Sequence, residues 1–383
     1  MFKPRPTALL ALGALALAGA LTTPAASVAT SAEDGTVAPV QKALDDLVKK
    51  DKFPAALATL RDTYGQEQFF TAGVGDLKTK SEVPQDGRVR IASNTKMFTA
   101  TVVLQLVGEG KIKLDTPIEK YLPGLVRGKA GDGRKITVRQ ILQHTSGLPD
   151  YDEIVFVDGL KTLRKYFKPQ DMVDYALKKK ALFKPGKGWG YSNTNYVLAG
   201  LIVEKVTGRS IGDQITSRII KPLDLRDTYW PDARDKSIQG PHPHGYFAAK
   251  PNQPWIDVTT FDPSSGWAAG QLIGTPGDLN RFLVALLNGE LLEPAQLAEM
   301  KKTVNAPDSG ATEGGRYGLG LSTVKLSCGG FAWTHGGDAP GYSTRNAVTK
   351  DGRAAAIAVT ALATTLEAHK NVEKALDTAL CDQ

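Results

Sequence analysis

The sequence predicts an α/β chain of the α+β sandwich type. An antiparallel five-stranded sheet drawn from both termini is flanked by helices and carries a mostly helical insertion. Three observations point there. Strand-like segments cluster near the two ends, helical periodicity fills the middle, and an apolar run at the extreme N-terminus stands apart from both.

That apolar run comes first in the chain. Lys3 and Arg5 precede fourteen uncharged, largely apolar positions from Ala8 to Leu21, and Thr22, Thr23 and Pro24 stop them. Small residues follow at Ala26, Ser27, Ala29 and Ala32, the layout of a secretory signal spanning residues 1–32 and cleaved between about 26 and 32. Fourteen residues fall short of the roughly 20 needed to cross hydrocarbon, so a secreted, extracellular chain without a stable membrane anchor is expected.

Pro39 to Asp51 carries Val40, Ala43, Leu44 and Leu47 on one helical stripe, and Ala55–Thr63 and Gln68–Val74 read as strands. Phe331–Thr334, Tyr342–Val348 and Ala354–Leu362 supply three more, the last two joined by the hairpin signal Asp351-Gly352. Leu366–Leu380 is a closing amphipathic helix. Between the ends, helices are predicted at Asn94–Gly108, Thr137–His144, Asp171–Lys179, Asn195–Thr207, Pro276–Asn288 and Pro294–Lys301, with Thr137, Thr275 and Glu293 at their starts.

Composition narrows the function. With 383 residues, 42% of them hydrophobic, the chain can build a large core, which excludes wholesale disorder. The formal charge of +7 is not gathered into any long basic block, which argues against a nucleic-acid partner. Export makes a Cys328–Cys381 disulfide the simplest reading of the only two cysteines. Closing a loop of about fifty residues stabilises by about 4 kcal/mol on chain-entropy grounds. His242 and His244 lack a third ligand nearby, so no metal site is expected.

Three clusters could do chemistry. In Ser93-Asn94-Thr95-Lys96 a hydroxyl and an amine stand three residues apart where an apolar helical run begins, so both project from one face. Thr99–Val107 is apolar almost all round, which buries the helix and desolvates Lys96; a desolvated lysine is a base that can deprotonate Ser93. Tyr191-Ser192-Asn193 precedes another helical run and offers a phenol to relay a proton and an amide to hold a substrate carbonyl and Lys96 together. His335-Gly336-Gly337 ends a strand, where the glycines would admit a substrate backbone and edge N–H groups could hold an oxyanion.

In this order the three clusters resemble the penicillin-recognising serine hydrolases, the serine β-lactamase and D-alanyl-D-alanine carboxypeptidase family, marked by Ser-x-x-Lys, Tyr-x-Asn and Lys/His-x-Gly. Supporting stretches are Tyr121-Leu122-Pro123-Gly124-Leu125, His144-Thr145-Ser146-Gly147-Leu148, Tyr317-Gly318-Leu319-Gly320-Leu321 and the cysteine pair. The likeness runs from about Pro54 to Cys381 and is closest to the Streptomyces carboxypeptidase branch, with class C β-lactamases, D-aminopeptidases and esterases as neighbours. It implies a β-lactamase/transpeptidase-like body, with 33–90 and 303–383 forming an α/β domain, 91–302 a helical domain, and the active groove between them. It further implies no cofactor, Ser93 as nucleophile, Lys96 as base, Tyr191 as relay, Asn193 as ligand of substrate and Lys96, and His335 as partner of the base. Phe156 falls where the carboxypeptidase keeps an aromatic lid, and Trp267, near Gly266 and Gly270, is read as lining the groove or filling a core gap.

The carboxypeptidase receives a terminal carboxylate on an Arg and two Thr, and the matching positions here are Ser322, Gly336 and Asp338. A carboxylate facing Asp338 would be repelled, so neutral amides, esters, D-peptide bonds or substrates with a free ammonium are favoured. The expected activity is cleavage of D-aminoacyl amide, peptide or ester bonds through an acyl-enzyme. Small D-amino-acid derivatives or peptidoglycan fragments would be its substrates and β-lactams its acylating inhibitors. The alternatives are a D-Ala-D-Ala carboxypeptidase, a class C-like β-lactamase, an esterase and a non-catalytic cell-wall binding protein.

Overall fold

The computed structural model describes residues 37–156, 159–232, 234–307 and 315–382; the expected secretory leader lies outside the described residues. Eight strands form one antiparallel sheet: β1 (Ala55–Arg61), β2 (Glu67–Gly73), β3 (Val304–Asn305), β4 (Arg316–Tyr317), β5 (Ser322–Lys325), β6 (Phe331–Ala339), β7 (Tyr342–Val348) and β8 (Ala354–Val359). Their order is β2-β1-β8-β7-β6-β5-β4-β3. The five strands expected from sequence form one continuous run of it, and the two- to four-residue strands β3, β4 and β5 extend one side.

Pairing of β1 with β8, Ala56 opposite Val359, joins the two ends of the chain. Alternation then sorts their side chains. Ala55, Leu57, Ala354, Ala356 and Ala358 enter one core, whereas Ala56, Ala58, Ala355, Ile357 and Val359 enter the other. The second core is sealed by α1 (Val37–Lys49) through Val40, Leu44 and Leu47, and by the C-terminal helix through Val372, Leu376 and Leu380. The Cys328–Cys381 disulfide, Cα atoms 5.6 Å apart, ties the end of that helix to the loop after β5.

The first core holds the helical part. α2 (Thr95–Gly108) is buried on nearly every side from Thr95 to Leu106, as its all-round apolar sequence requires, and α3 (Asn193–Thr207) packs beside it. α4 (Pro276–Leu287) starts at Thr275, whose hydroxyl accepts the Asp278 N–H, with Pro276 at the first helical position. Phe282 of α4 stacks on Phe98 of α2 with ring centroids 3.7 Å apart. The C-terminal helix is α5 (Leu366–Cys381).

The main departure from expectation is β6. It continues past Thr334 through His335, Gly336 and Gly337 to Ala339, because these residues stay paired with β7 until the turn at Pro340-Gly341. Gly341 takes φ +85°, which a glycine adopts without strain.

Candidate active site

Ser93 sits in a single turn, Ala92–Asn94, that leads directly into α2. Ala92 before it has φ +45°, an unfavourable conformation for a residue with a Cβ. Its neighbours hold it there. Ile91 N–H bonds the Leu272 carbonyl at 3.1 Å, and the Asn94 amide donates to Ile91 O at 2.8 Å and to Thr344 Oγ1 at 2.7 Å. Ser93 is thereby turned into a cleft of about 500 Å³ shared by Tyr191, Asn193, His335, Asp152 and Asp338.

Lys96 follows one turn later and is wholly buried behind Ser93. Its Nζ lies 2.9 Å from Ser93 Oγ, 2.6 Å from Asn193 Oδ1 and 2.9 Å from the Ala269 carbonyl. Burial pushes its proton affinity down to about 7, against the pull of the Asp152 and Asp150 charges. A neutral amine has two hydrogens and one lone pair. The Asn193 and Ala269 oxygens accept the hydrogens, which leaves the lone pair for the Ser93 hydroxyl.

Tyr191 lines the same cleft as Ser93. Burial, reinforced by Tyr317, drives its phenol well above the ordinary range, although a hydrogen bond with Ser93 pulls the other way, so it stays protonated, the state in which a phenol can donate. Lys96 Nζ lies 4.8 Å from the centroid of its ring. His144 secures this segment: its Nδ1 accepts from Ser192 N at 3.2 Å and Asn195 Nδ2 at 3.1 Å, and its ring lies 4.4 Å from that of Tyr191. Burial and nearby Lys96 hold His144 neutral.

Several expected roles change. His335 lines the cleft, but its Nδ1 faces the Gly336 carbonyl at 2.6 Å and so must carry the proton, leaving Nε2 to accept from the Tyr317 hydroxyl at 3.0 Å. With its lone pair engaged and burial pressing its pKa to about 3, His335 is a neutral wall rather than a partner of the base. A Cβ on Gly337 would stand 2.2 Å from Ile91 O, and one on Gly336 would stand 3.2 Å from Arg345 Nη1. Gly337 therefore clears space for the Ser93 turn and Gly336 for Arg345, and Gly336 also lines the cleft where a substrate backbone was expected. Trp267 lines a small neighbouring pocket with Tyr166 and Trp230 instead of the cleft. Phe156 ends the turn Asp152–Phe156, and its side chain lies outside the described residues.

Asp338 is the largest correction. It lines the cleft, yet Arg345 of β7 clamps both its oxygens at 3.1 and 3.2 Å, and the Ser343 hydroxyl donates to it at 2.5 Å. Partial burial would raise its carboxyl, but Arg345 and Ser343 outweigh this and hold it below the usual range. Its negative charge is already balanced.

Three neighbours of the site carry no sequence expectation, Asp150, Asp152 and Arg345, and Tyr317 stood there only within a supporting stretch. The signal for Arg345 was the turn at Gly341, which sets the hairpin register and brings Arg345 opposite Gly336. The signal for the aspartates was their spacing in Asp150-Tyr151-Asp152, directly after the His144–Leu148 run. Among the described residues no group of His, Cys, Asp or Glu is arranged to hold a metal ion; His244 instead pairs with Asp257 at 2.7 Å.

Beyond Thr334 the pairing of β6 with β5 ends, so His335–Ala339 present a strand edge at the cleft, next to a serine and its buried amine. The β-lactamase family model matches residues 40–380. The chain belongs to the β-lactamase family. It is similar to a D-stereospecific amidohydrolase from Streptomyces sp. at 42% identity and a TM-score of 0.80, covering 88% of this chain and 98% of that one. It is also similar to the D-amino acid amidase of Ochrobactrum anthropi SV3 complexed with D-phenylalanine, at 29% identity and TM-score 0.80 over 91% of this chain and 99% of that one. Among curated proteins, penicillin-binding protein 4* of Bacillus subtilis (strain 168) is 28% identical over 71% of this chain, and the match spans 60% of that protein's length.

Proposed function

We propose that this chain is a secreted, D-stereospecific serine amidohydrolase that cleaves D-aminoacyl amide, peptide or ester bonds through an acyl-enzyme. The observation that carries the chemistry is the Ser93–Lys96–Asn193 geometry, with a buried amine whose free lone pair meets the serine hydroxyl. Ser93 Oγ attacks the carbonyl as its proton passes to Lys96. The Ser93 N–H and the open edge of β6 supply donors for the oxyanion, and Tyr191 passes a proton to the leaving amine. Water or an amine then resolves the ester.

The stereochemical part is supported by the likeness to the Streptomyces amidohydrolase and the Ochrobactrum amidase. Likeness to a penicillin-binding protein supports β-lactams as acylating agents. Export is supported by the Lys3–Ala32 leader pattern. Removal of a terminal D-Ala needs a cation free to meet a carboxylate, and Arg345 is engaged by Asp338. Amides are therefore the favoured class. The test is the ratio of kcat/KM for a D-aminoacyl amide to that for its L enantiomer, measured beside a peptide ending in D-Ala-D-Ala. A large ratio with slow cleavage of the acid is expected. Preference for the L compound would remove the stereochemical claim, and faster cleavage of the acid would make the chain a carboxypeptidase.

A further inference from the structure

We propose that Asp150 and Asp152 are positioning residues for the base: together they lock the Asn193 side chain so that its carbonyl holds Lys96 with the amine lone pair on Ser93. The inference rests on the acyl-enzyme reading above.

An asparagine amide is nearly symmetric and can present either end to a lysine. Here the choice is forced. Asp150 Oδ2 accepts from both Asn193 N–H at 2.9 Å and Nδ2 at 3.1 Å, and Asp152 Oδ1 accepts from Nδ2 at 2.8 Å. Ionised carboxylates only accept, so both amide hydrogens must point at them and Oδ1 must point at Lys96, which it meets at 2.6 Å. The same bonds occupy the amide hydrogens that a substrate carbonyl would have used, so Asn193 serves the base rather than the substrate.

The two carboxylates also add charge. The groups facing Lys96 from its own turn and from α3 are Ser93, Tyr191, Asn193 and the Tyr196 ring at 5.6 Å, all neutral. From the sheet and the preceding loop, His335 and His144 face it, both held neutral by burial. Asp150 and Asp152 are then the ions that bear on Lys96, with Lys179 behind them, bonded to the Asp150 carbonyl at 2.8 Å and paired with Glu153. Their field favours the ammonium form and so sets the pH above which the amine can act.

The test is the rate of Ser93 acylation by a chromogenic D-aminoacyl ester across pH for wild type, D150N and D152N, with the acyl-enzyme identified by mass and folding followed by thermal melting. Removing a negative charge disfavours the protonated amine, so the acid limb is expected to move to lower pH, by about one unit for D152N. D150N, which also frees the amide to turn, is expected to lower the plateau about ten-fold or more as well. Asp152 keeps one side open to solvent while its carboxyl is desolvated against Asn193, so its variant keeps the test alive if D150N misfolds. An acid limb unmoved in every variant that folds would overturn the proposal, even if rates or melting temperatures fall, because a purely structural role predicts that result. Failure of wild type itself to form an acyl-enzyme would instead bring down the underlying reading, and the inference with it.

Discussion

Two aspartates border the cleft, and they have opposite characters. Asp338, on the sheet wall, faces Arg345 and Ser343 and is held below the ordinary carboxylate range. Asp152, on the helical wall, is bonded by the Asn193 amide, and burial together with the Asp150 charge raises it, against the weaker pull of Lys96. The sheet wall is a closed ion pair; the helical wall carries spare negative charge that acts on the catalytic amine. A carboxylate's function here follows from what opposes it, more than from its nearness to a nucleophile.

The largest expected effect sets the scale for that contrast. Ser93→Ala removes the proposed nucleophile and is expected to lower kcat by about 10⁴-fold or more, with no acyl-enzyme visible by mass. Next, wild-type kcat/KM should climb as pH rises through about 7, since Lys96 must lose its proton to act, and should show no loss from Tyr191 ionisation at mildly alkaline pH. A profile flat from pH 5 to 9 would detach the helical wall from the base. Asp338→Asn should sharpen the contrast from the other side. It frees Arg345 and is expected to lower KM for a substrate ending in a carboxylate by about ten-fold, the worth of one charge-assisted hydrogen bond, while leaving the acid limb in place. An acid limb displaced by this change would mean that both walls act on the base. The last of the series is Gly337→Ala, whose added methyl meets Ile91 O beside the Ser93 turn; calorimetry should read a loss of about 1–3 kcal/mol, with kcat falling alongside it because that turn must shift.

Much of the scaffold was legible because it is local. α2 was read within one residue of its start, since an all-round apolar run announces a buried helix, and Thr275-Pro276 marked the start of α4 through its cap. Strands β1, β2, β7 and β8 were legible from β-rich runs between turns, and the beginning of β6 likewise. Strands β3 and β4 have two residues each, too few to display any period, and β6 ran on because glycines that look like a strand end are held extended by β7.

The sequence by itself determined the pairing of hydroxyl and amine on which the proposed chemistry rests: a serine and a lysine three positions apart share a helical face, and the apolar helix around them leaves the amine no water. Only the tertiary structure decided which aspartate is neutralised, which way the Asn193 amide faces and what each glycine makes room for. Those answers depend on strand register and on loops meeting across the fold, such as Gly336 with Arg345 and Asp150 with Asn193. Helical spacing is repeated every turn and can be counted along the chain, whereas long-range pairing is settled by packing that no short window contains.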